Sequence, residues 1–370
     1  MQKELLMKLT RLKQSFGHFI ILTGALLTMQ SAFACTRVVY LGTDNVVITG
    51  RSMDWAEDMQ SNLWKFPRGM QREGAAGANS VKWTSKYGSV VVSGYESGTA
   101  DGMNEKGLVA NLLYLAESDY GTPNASKPHI SISAWAQYVL DNFATTAEAV
   151  SALSKETFQV IAPVLPNGSP AQLHLAISDS TGDSAIFEYL GGKLVTHHGK
   201  QYQVMTNSPQ FNDQLALNEY WKKIGGLTFL PGTNRAADRF ARASFLVDAI
   251  PTTVDKNYIN GIPKQDYANQ AIASVMGVIR SVSVPLGITT PGQPNISSTL
   301  WRTFADQKNK VYFFDSAMMP NTFWVTLPSF DFAEKTPVMK LTVAGGKIYS
   351  GETNSQFVEA APFTFLPANK

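Results

Sequence analysis

The sequence predicts an α+β fold with layered, mainly antiparallel sheets. Two observations carry this. Short β-branched or aromatic runs bounded by turn residues dominate the chain, and stretches of helical spacing alternate with blocks of them in the order strands, helices, strands, helices, strands. The strand-like runs are Arg37-Val38-Val39-Tyr40, Val46-Val47-Ile48-Thr49, Ser89-Val90-Val91-Val92-Ser93, Leu173-His174-Leu175-Ala176-Ile177, Ala185-Ile186-Phe187-Glu188-Tyr189 and Val311-Tyr312-Phe313-Phe314. Turn chemistry such as Gly42-Thr43-Asp44-Asn45 and Ser180-Thr181-Gly182-Asp183 separates them. Helical spacing marks 132–143 with 145–153, and 236–250, where Phe240, Ala243, Phe245, Leu246 and Ala249 share a face; 269–284 is a third candidate. No internal repeat divides the chain, and the Pro- and Gly-rich stretch 285–294 reads as a loop.

Residues 1–34 stand apart from this pattern. Lys3, Lys8, Arg11 and Lys13 precede the apolar run from Phe19 to Leu27, and Ala32-Phe33-Ala34 supplies a small-residue cleavage site. Basic, apolar and A-x-A regions in that order form a secretory signal peptide, and the apolar run is too short to span a bilayer. The expected product is residues 35–370 as a single domain, periplasmic or secreted, with no stable membrane insertion. The leader holds four basic residues and one acidic, so the formal charge of +2 turns slightly negative without it. Nothing in that balance points to a nucleic-acid partner or an anionic membrane surface.

Cysteine usage is the most informative part of the composition. Exported proteins usually pair their cysteines, yet this chain has only Cys35, directly after the cleavage site. Cleavage after Ala34 places a thiol and a free α-amine on one residue, so nucleophile and general base arrive together without a histidine. Arg51 and Asp54, in Arg51-Ser52-Met53-Asp54-Trp55 at the end of the second strand, are spaced to set a cation near the sulfur and a carboxylate near the ammonium. The alternative for that pair is a surface ion pair at a strand end. His129, His174, His197 and His198 have no metal-ligand spacing, and no P-loop or dinucleotide glycine pattern occurs, so the sequence calls for no cofactor or metal. The competing class is a non-enzymatic lipoprotein anchored through Cys35, against which Ala32-Phe33-Ala34 fits ordinary cleavage better.

Five separated segments then resemble, in order, the choloylglycine hydrolase family, which includes penicillin V acylases and bile salt hydrolases. They are Cys35-Thr36-Arg37, Arg51-Ser52-Met53-Asp54-Trp55, Asp101-Gly102-Met103-Asn104-Glu105-Lys106-Gly107-Leu108, Thr206-Asn207-Ser208-Pro209 and Asp238-Arg239-Phe240. The resemblance implies an αββα four-layer N-terminal nucleophile hydrolase that cleaves a linear amide through a thioester. It implies Cys35 as nucleophile, Arg51 and Asp54 beside it, Asn207 as oxyanion donor and Arg239 as an active-site arginine. Tyr114, by counting on from Gly107-Leu108, matches the position whose backbone N–H is the second oxyanion donor and whose side chain lines the pocket. The partner implied is a small-molecule N-acyl amide. With Met53 and Trp55 beside Tyr114, an aryl or fatty acyl group is favoured: penicillin V first, then N-acyl homoserine lactones and conjugated bile salts. Only 32 positions separate Asn207 from Arg239, where Gram-positive members carry an extended assembly loop, so the chain resembles the Gram-negative branch. That leaves the choice between monomer and homo-oligomer open.

Overall fold

Two strands that meet at the start of the domain organise the rest. In the computed structural model, which describes residues 35–288 and 297–368, strand β1 (Thr36–Leu41) pairs antiparallel with β2 (Val47–Trp55), Thr36 opposite Ser52 and Leu41 opposite Val47. The predicted leader and its cleavage site lie outside the described residues, and 285–294 is described only through residue 288. On its other edge β1 takes Val204–Met205, with Arg37 opposite Met205. Strand β2 also pairs with Ser298–Asp306, and Val311–Ser316, Thr322–Thr326 and Gly351–Glu352 complete a seven-stranded sheet. All nine residues of β2 are buried, which no isolated hairpin could achieve.

A second, nine-stranded sheet has Val109–Tyr114 and Gly98–Asn104 near its middle, flanked by Leu173–Ser178 and Ser89–Gly94. Its strands do not alternate apolar with polar, because both faces are covered. Val90, Val92 and Ile186 enter the core shared with the first sheet, while Val91, Ala185 and Phe187 pack toward helix Ile132–Asn142. Helices Ala236–Ala249 and Tyr267–Ser281 cover the outer face of the seven-stranded sheet. The result is the predicted αββα layering.

The helix positions expected from spacing are found, at Ile132–Asn142, Thr146–Leu153, Ala236–Ala249 and Tyr267–Ser281. Among the described residues one further α-helix, Phe211–Ile224, carries no start signal: Gln210 precedes it without a side-chain cap. Its first N–H groups are served from elsewhere, the Phe211 N–H donating to both Glu188 carboxylate oxygens at 3.1 and 3.2 Å.

Layers this close need glycine where helix meets sheet. A Cβ on Gly50 would lie 2.9 Å from side-chain atoms of Ile279 and Val275, and one on Gly102 would lie 2.8 Å from the Val90 carbonyl oxygen and 3.0 Å from Leu140. We predict that Gly50→Ala and Gly102→Ala each destabilise residues 35–370 by about 1–3 kcal/mol. Gly102→Ala should cost more because a backbone atom cannot rotate away; urea midpoints compare the two.

Candidate active site

The pleat of β2 sorts the site. Arg51, Met53 and Trp55 lie on one face and Ser52 and Asp54 on the other, as alternate residues of a strand must. The first set looks toward the nine-stranded sheet and lines an apolar pocket together with Cys35 and Tyr114. The second set is on the face bearing Gly50 and the helices. Arg51 and Asp54 are therefore not a surface pair: both are fully buried, on opposite sides of the sheet.

Cys35 immediately precedes β1 and is 1% exposed. Its Sγ lies 3.8 Å from Arg51 Nη2, 3.8 Å from the Asp54 carbonyl oxygen and 4.0 Å from Met53 Sδ. Its main-chain N–H donates to Asn207 Oδ1 at 2.5 Å. The pairing of Val204–Met205 with β1 brings Asn207 to this point, two residues past the ladder. Asn207 Oδ1 also accepts from Arg239 Nη2 at 2.8 Å, and Asn207 Nδ2 donates to the Tyr114 carbonyl at 2.7 Å. Two donors on one side of the amide and a carbonyl on the other fix its orientation, leaving the second Nδ2 hydrogen for another acceptor.

Arg239, on helix Ala236–Ala249, reaches down to the sheet. Its Nη1 donates to the Cys35 carbonyl and to Thr36 Oγ1, both at 2.6 Å, and its Nε to Asn234 O at 3.0 Å. Burial pulls its basicity below the ordinary arginine value, against the attraction of Asp54 and Cys35. The Asp54 carboxylate accepts from Thr299 Oγ1 at 2.6 Å and from Ser52 Oγ at 3.5 Å, and Ser52 Oγ accepts the Thr36 N–H at 3.2 Å. Asp54 thus grips the start of β1 through Ser52, and the part of it nearest Sγ is its carbonyl. Burial pushes its carboxyl up to about 6, opposed by Arg239, Thr299, Arg51 and Ser52.

Several members of this network were assigned no role from the sequence. Asp101 holds Arg51 from the opposite sheet, Oδ2 to Nη1 at 3.4 Å, and accepts from Asn111 at 2.6 Å, Thr303 at 3.2 Å and the Tyr312 hydroxyl. The motif that begins at Asp101 is strand through Asn104, and a tight turn follows it with Gly107 at φ 87°. Arg51 Nη2 also donates to Leu112 O at 2.9 Å and Nε to Ser52 O at 3.0 Å, and the guanidinium stacks 4.8 Å above the Trp301 ring. His174 ties the nine-stranded sheet to the Asn207 segment, with ring nitrogens 2.9 Å from Thr206 O and 3.0 Å from Glu188 Oε1. On the pocket side Trp55 Nε1 donates to the Tyr95 hydroxyl at 2.7 Å, and Tyr114 meets Trp55 edge-on at 6.3 Å.

Two predictions follow from these buried charges. Asp101→Leu should destabilise the fold by about 3–5 kcal/mol, since Arg51 would stay buried without its counter-charge; denaturant unfolding measures this. In a chain retaining Phe33 and Ala34, so that Cys35 N stays a peptide nitrogen, the Asp54 carboxyl binds its proton more tightly folded than unfolded. Its stabilising contribution is full below about pH 4 and is lost as pH rises through about 6, on the order of 3 kcal/mol. Asp54→Asn should remove that slope from plots of stability against pH.

Comparison with known proteins completes the assignment. The model of the linear amide C–N hydrolases, choloylglycine hydrolase family, matches residues 35–339. Penicillin V acylase of Pectobacterium atrosepticum is 50% identical over 360 residues, covering 92% of this chain and 94% of that protein. Bile salt hydrolase/transferase of Clostridium perfringens is 30% identical over 282 residues, 69% of this chain and 84% of that one. The solved structure of penicillin V acylase from Agrobacterium tumefaciens superposes with a TM-score of 0.82 at 56% identity, covering 90% of this chain and 99% of its own. With a family match across most of its length and half-identical relatives over nearly all of it, the chain belongs to the choloylglycine hydrolase family of linear amide C–N hydrolases.

Proposed function

We propose that this hydrolase is exported, that removal of residues 1–34 makes Cys35 its N-terminal nucleophile, and that its preferred substrate is penicillin V. The observation carrying this reading is that one residue presents two reactive atoms to two different partners. The main-chain nitrogen of Cys35 is held by Asn207 Oδ1 at 2.5 Å, and its Sγ lies at the pocket beside Arg51 at 3.8 Å. Once cleavage frees that nitrogen it is an amine, able to take the thiol proton directly or through water.

In the proposed reaction the sulfur bonds to the amide carbon while the carbonyl electron pair moves onto oxygen. The second Nδ2–H of Asn207 and the backbone N–H at Tyr114 stabilise this oxyanion, and the Asn207–Tyr114 hydrogen bond keeps the two donors adjacent. The proton held by the α-amine passes to the departing nitrogen as the C–N bond breaks, leaving a thioester. Water, deprotonated by the same amine, then attacks the thioester carbon; the acid leaves and the thiol is restored. Arg51 offsets negative charge on sulfur, while Asp54 and Arg239 fix the terminal residue from the helix side.

The acyl group fits the apolar side of the site, where Met53, Trp55 and Tyr114 line the pocket with Met59, Leu112 and Leu165. Such a surface suits the aryl group of penicillin V, with N-acyl homoserine lactones and conjugated bile salts as the next candidates. The 50% identity to a penicillin V acylase supports that order. Burial of Cys35 supports catalysis over a lipid anchor, which would need the sulfur at the surface.

Intact mass of the exported protein should equal residues 35–370 with a free amine; a start elsewhere, or an acylated Cys35, would sink the mechanism. The same sample should turn over penicillin V faster than glycocholate or a long-chain homoserine lactone, and the reverse order would overturn the substrate assignment. Cys35→Ser should remove nearly all activity, and Asn207→Ala should lower kcat by about 10²–10³-fold.

A further inference from the structure

We propose that the C-terminal segment 361–368 forms one wall of the acyl pocket and that Leu366 sets the length of acyl chain the pocket accepts. Among the described residues, every other lining residue lies between Cys35 and Leu173; Leu366 alone arrives from the end of the chain. It also lies beyond residue 339, where the family match stops.

The segment is pinned rather than draped. The Leu366 N–H donates to Ser97 O at 2.7 Å, and its carbonyl accepts from Ser131 Oγ at 2.7 Å and Ser133 Oγ at 3.0 Å. Ser97 and Ser133 line the same pocket, so the hydrogen bonds and the cavity wall share residues. On either side the chain is anchored. Phe363 packs edge-on against Trp64 and Phe66 at 5.5 and 5.6 Å, Phe365 stacks on Trp83 at 6.4 Å with the Arg72 guanidinium 5.6 Å from its ring, and Ala368 N–H donates to Ala75 O at 2.9 Å.

The neighbouring turn offers little slack. Tyr95 and Glu96 hold φ of 54° and 50°, and a Cβ on Gly98 would meet Ser133 at 3.1 Å. A side chain held in the wall of an apolar cavity by a pinned backbone limits the space there: longer chains must displace it and shorter ones leave space behind. That the occupant is an acyl group rests on the activity proposed above; that Leu366 limits its length is a separate statement.

The test uses the processed enzyme and its Leu366→Ala and Leu366→Trp variants. One arm measures kcat/KM for straight-chain N-acyl p-nitroanilides from two to twelve carbons. The other measures Kd for the free carboxylates of the same lengths, which requires no turnover. Leu366→Trp should move the optimum to shorter chains and lower the longest-to-shortest kcat/KM ratio about tenfold or more. Leu366→Ala should move it toward longer chains, and the carboxylate Kd values should follow both shifts. Opposite displacements in two variants cannot arise from loss of folding. Length profiles unchanged from the parent in both variants overturn the assignment. A carboxylate profile that shifts in an enzyme hydrolysing no amide supports the length limit and removes the proposed activity instead.

Discussion

The side-chain amide of Asn207 is the contact on which the site depends. It joins three pieces of chain remote in sequence: the nitrogen of Cys35 before the first strand, Arg239 on an outer helix, and the carbonyl of Tyr114 in the facing sheet. Because its oxygen is held by two donors and its nitrogen by a carbonyl, turning the amide over would set like against like in a dry interior, where each mismatch costs on the order of 1–3 kcal/mol. One donor hydrogen is thereby aimed while the rest of the group is locked. Such fixed donors stabilise developing charge without reorganising during the reaction.

Keeping that contact in place requires charge to be buried, and the structure does so by pairing across layers. Arg51 is held by Asp101 from the opposite sheet, Arg239 spans from its helix to the Cys35 carbonyl, and Asp54 is gripped by Thr299 and Ser52. Arg37 is likewise enclosed, donating to Ser184 Oγ and Ile177 O at 3.0 Å each. Burial pulls its basicity down to about 9, with Asp101 acting in the opposite direction. These groups make a polar centre within the apolar core shared by the two sheets, so the reacting sulfur meets directed donors on one side and an apolar pocket on the other.

Legibility in the sequence followed the range of the forces involved. Strand periodicity and turn residues located the sheet elements, and five motifs in order placed Cys35, Arg51, Asp54, Asn207 and Arg239 on one list. Helix Phe211–Ile224 escaped notice because its first turn is satisfied by Glu188, a strand residue, rather than by a cap of its own. Thr299 and His174 carried no sign of their roles, and Asp101 stood in a motif that did not name its partner, for the same reason: each acts on a group brought close only by sheet pairing or layer packing. The spacing of Arg51 and Asp54 assigned one to the sulfur and the other to the ammonium, and the pleat sends their side chains to opposite faces of the strand.

The sequence by itself determined most of the elements, their layered class and the chemistry on offer, because period, turn residues and the position of a lone cysteine are local properties of a chain. Tertiary structure decided what those residues face. It set Arg51 against sulfur and Asp54 against Thr299, fixed the orientation of Asn207, and drew the end of the chain over a pocket built from its first half. Those outcomes depend on register between strands and on packing between layers, and a residue carries no local record of the partner that folding will bring to it.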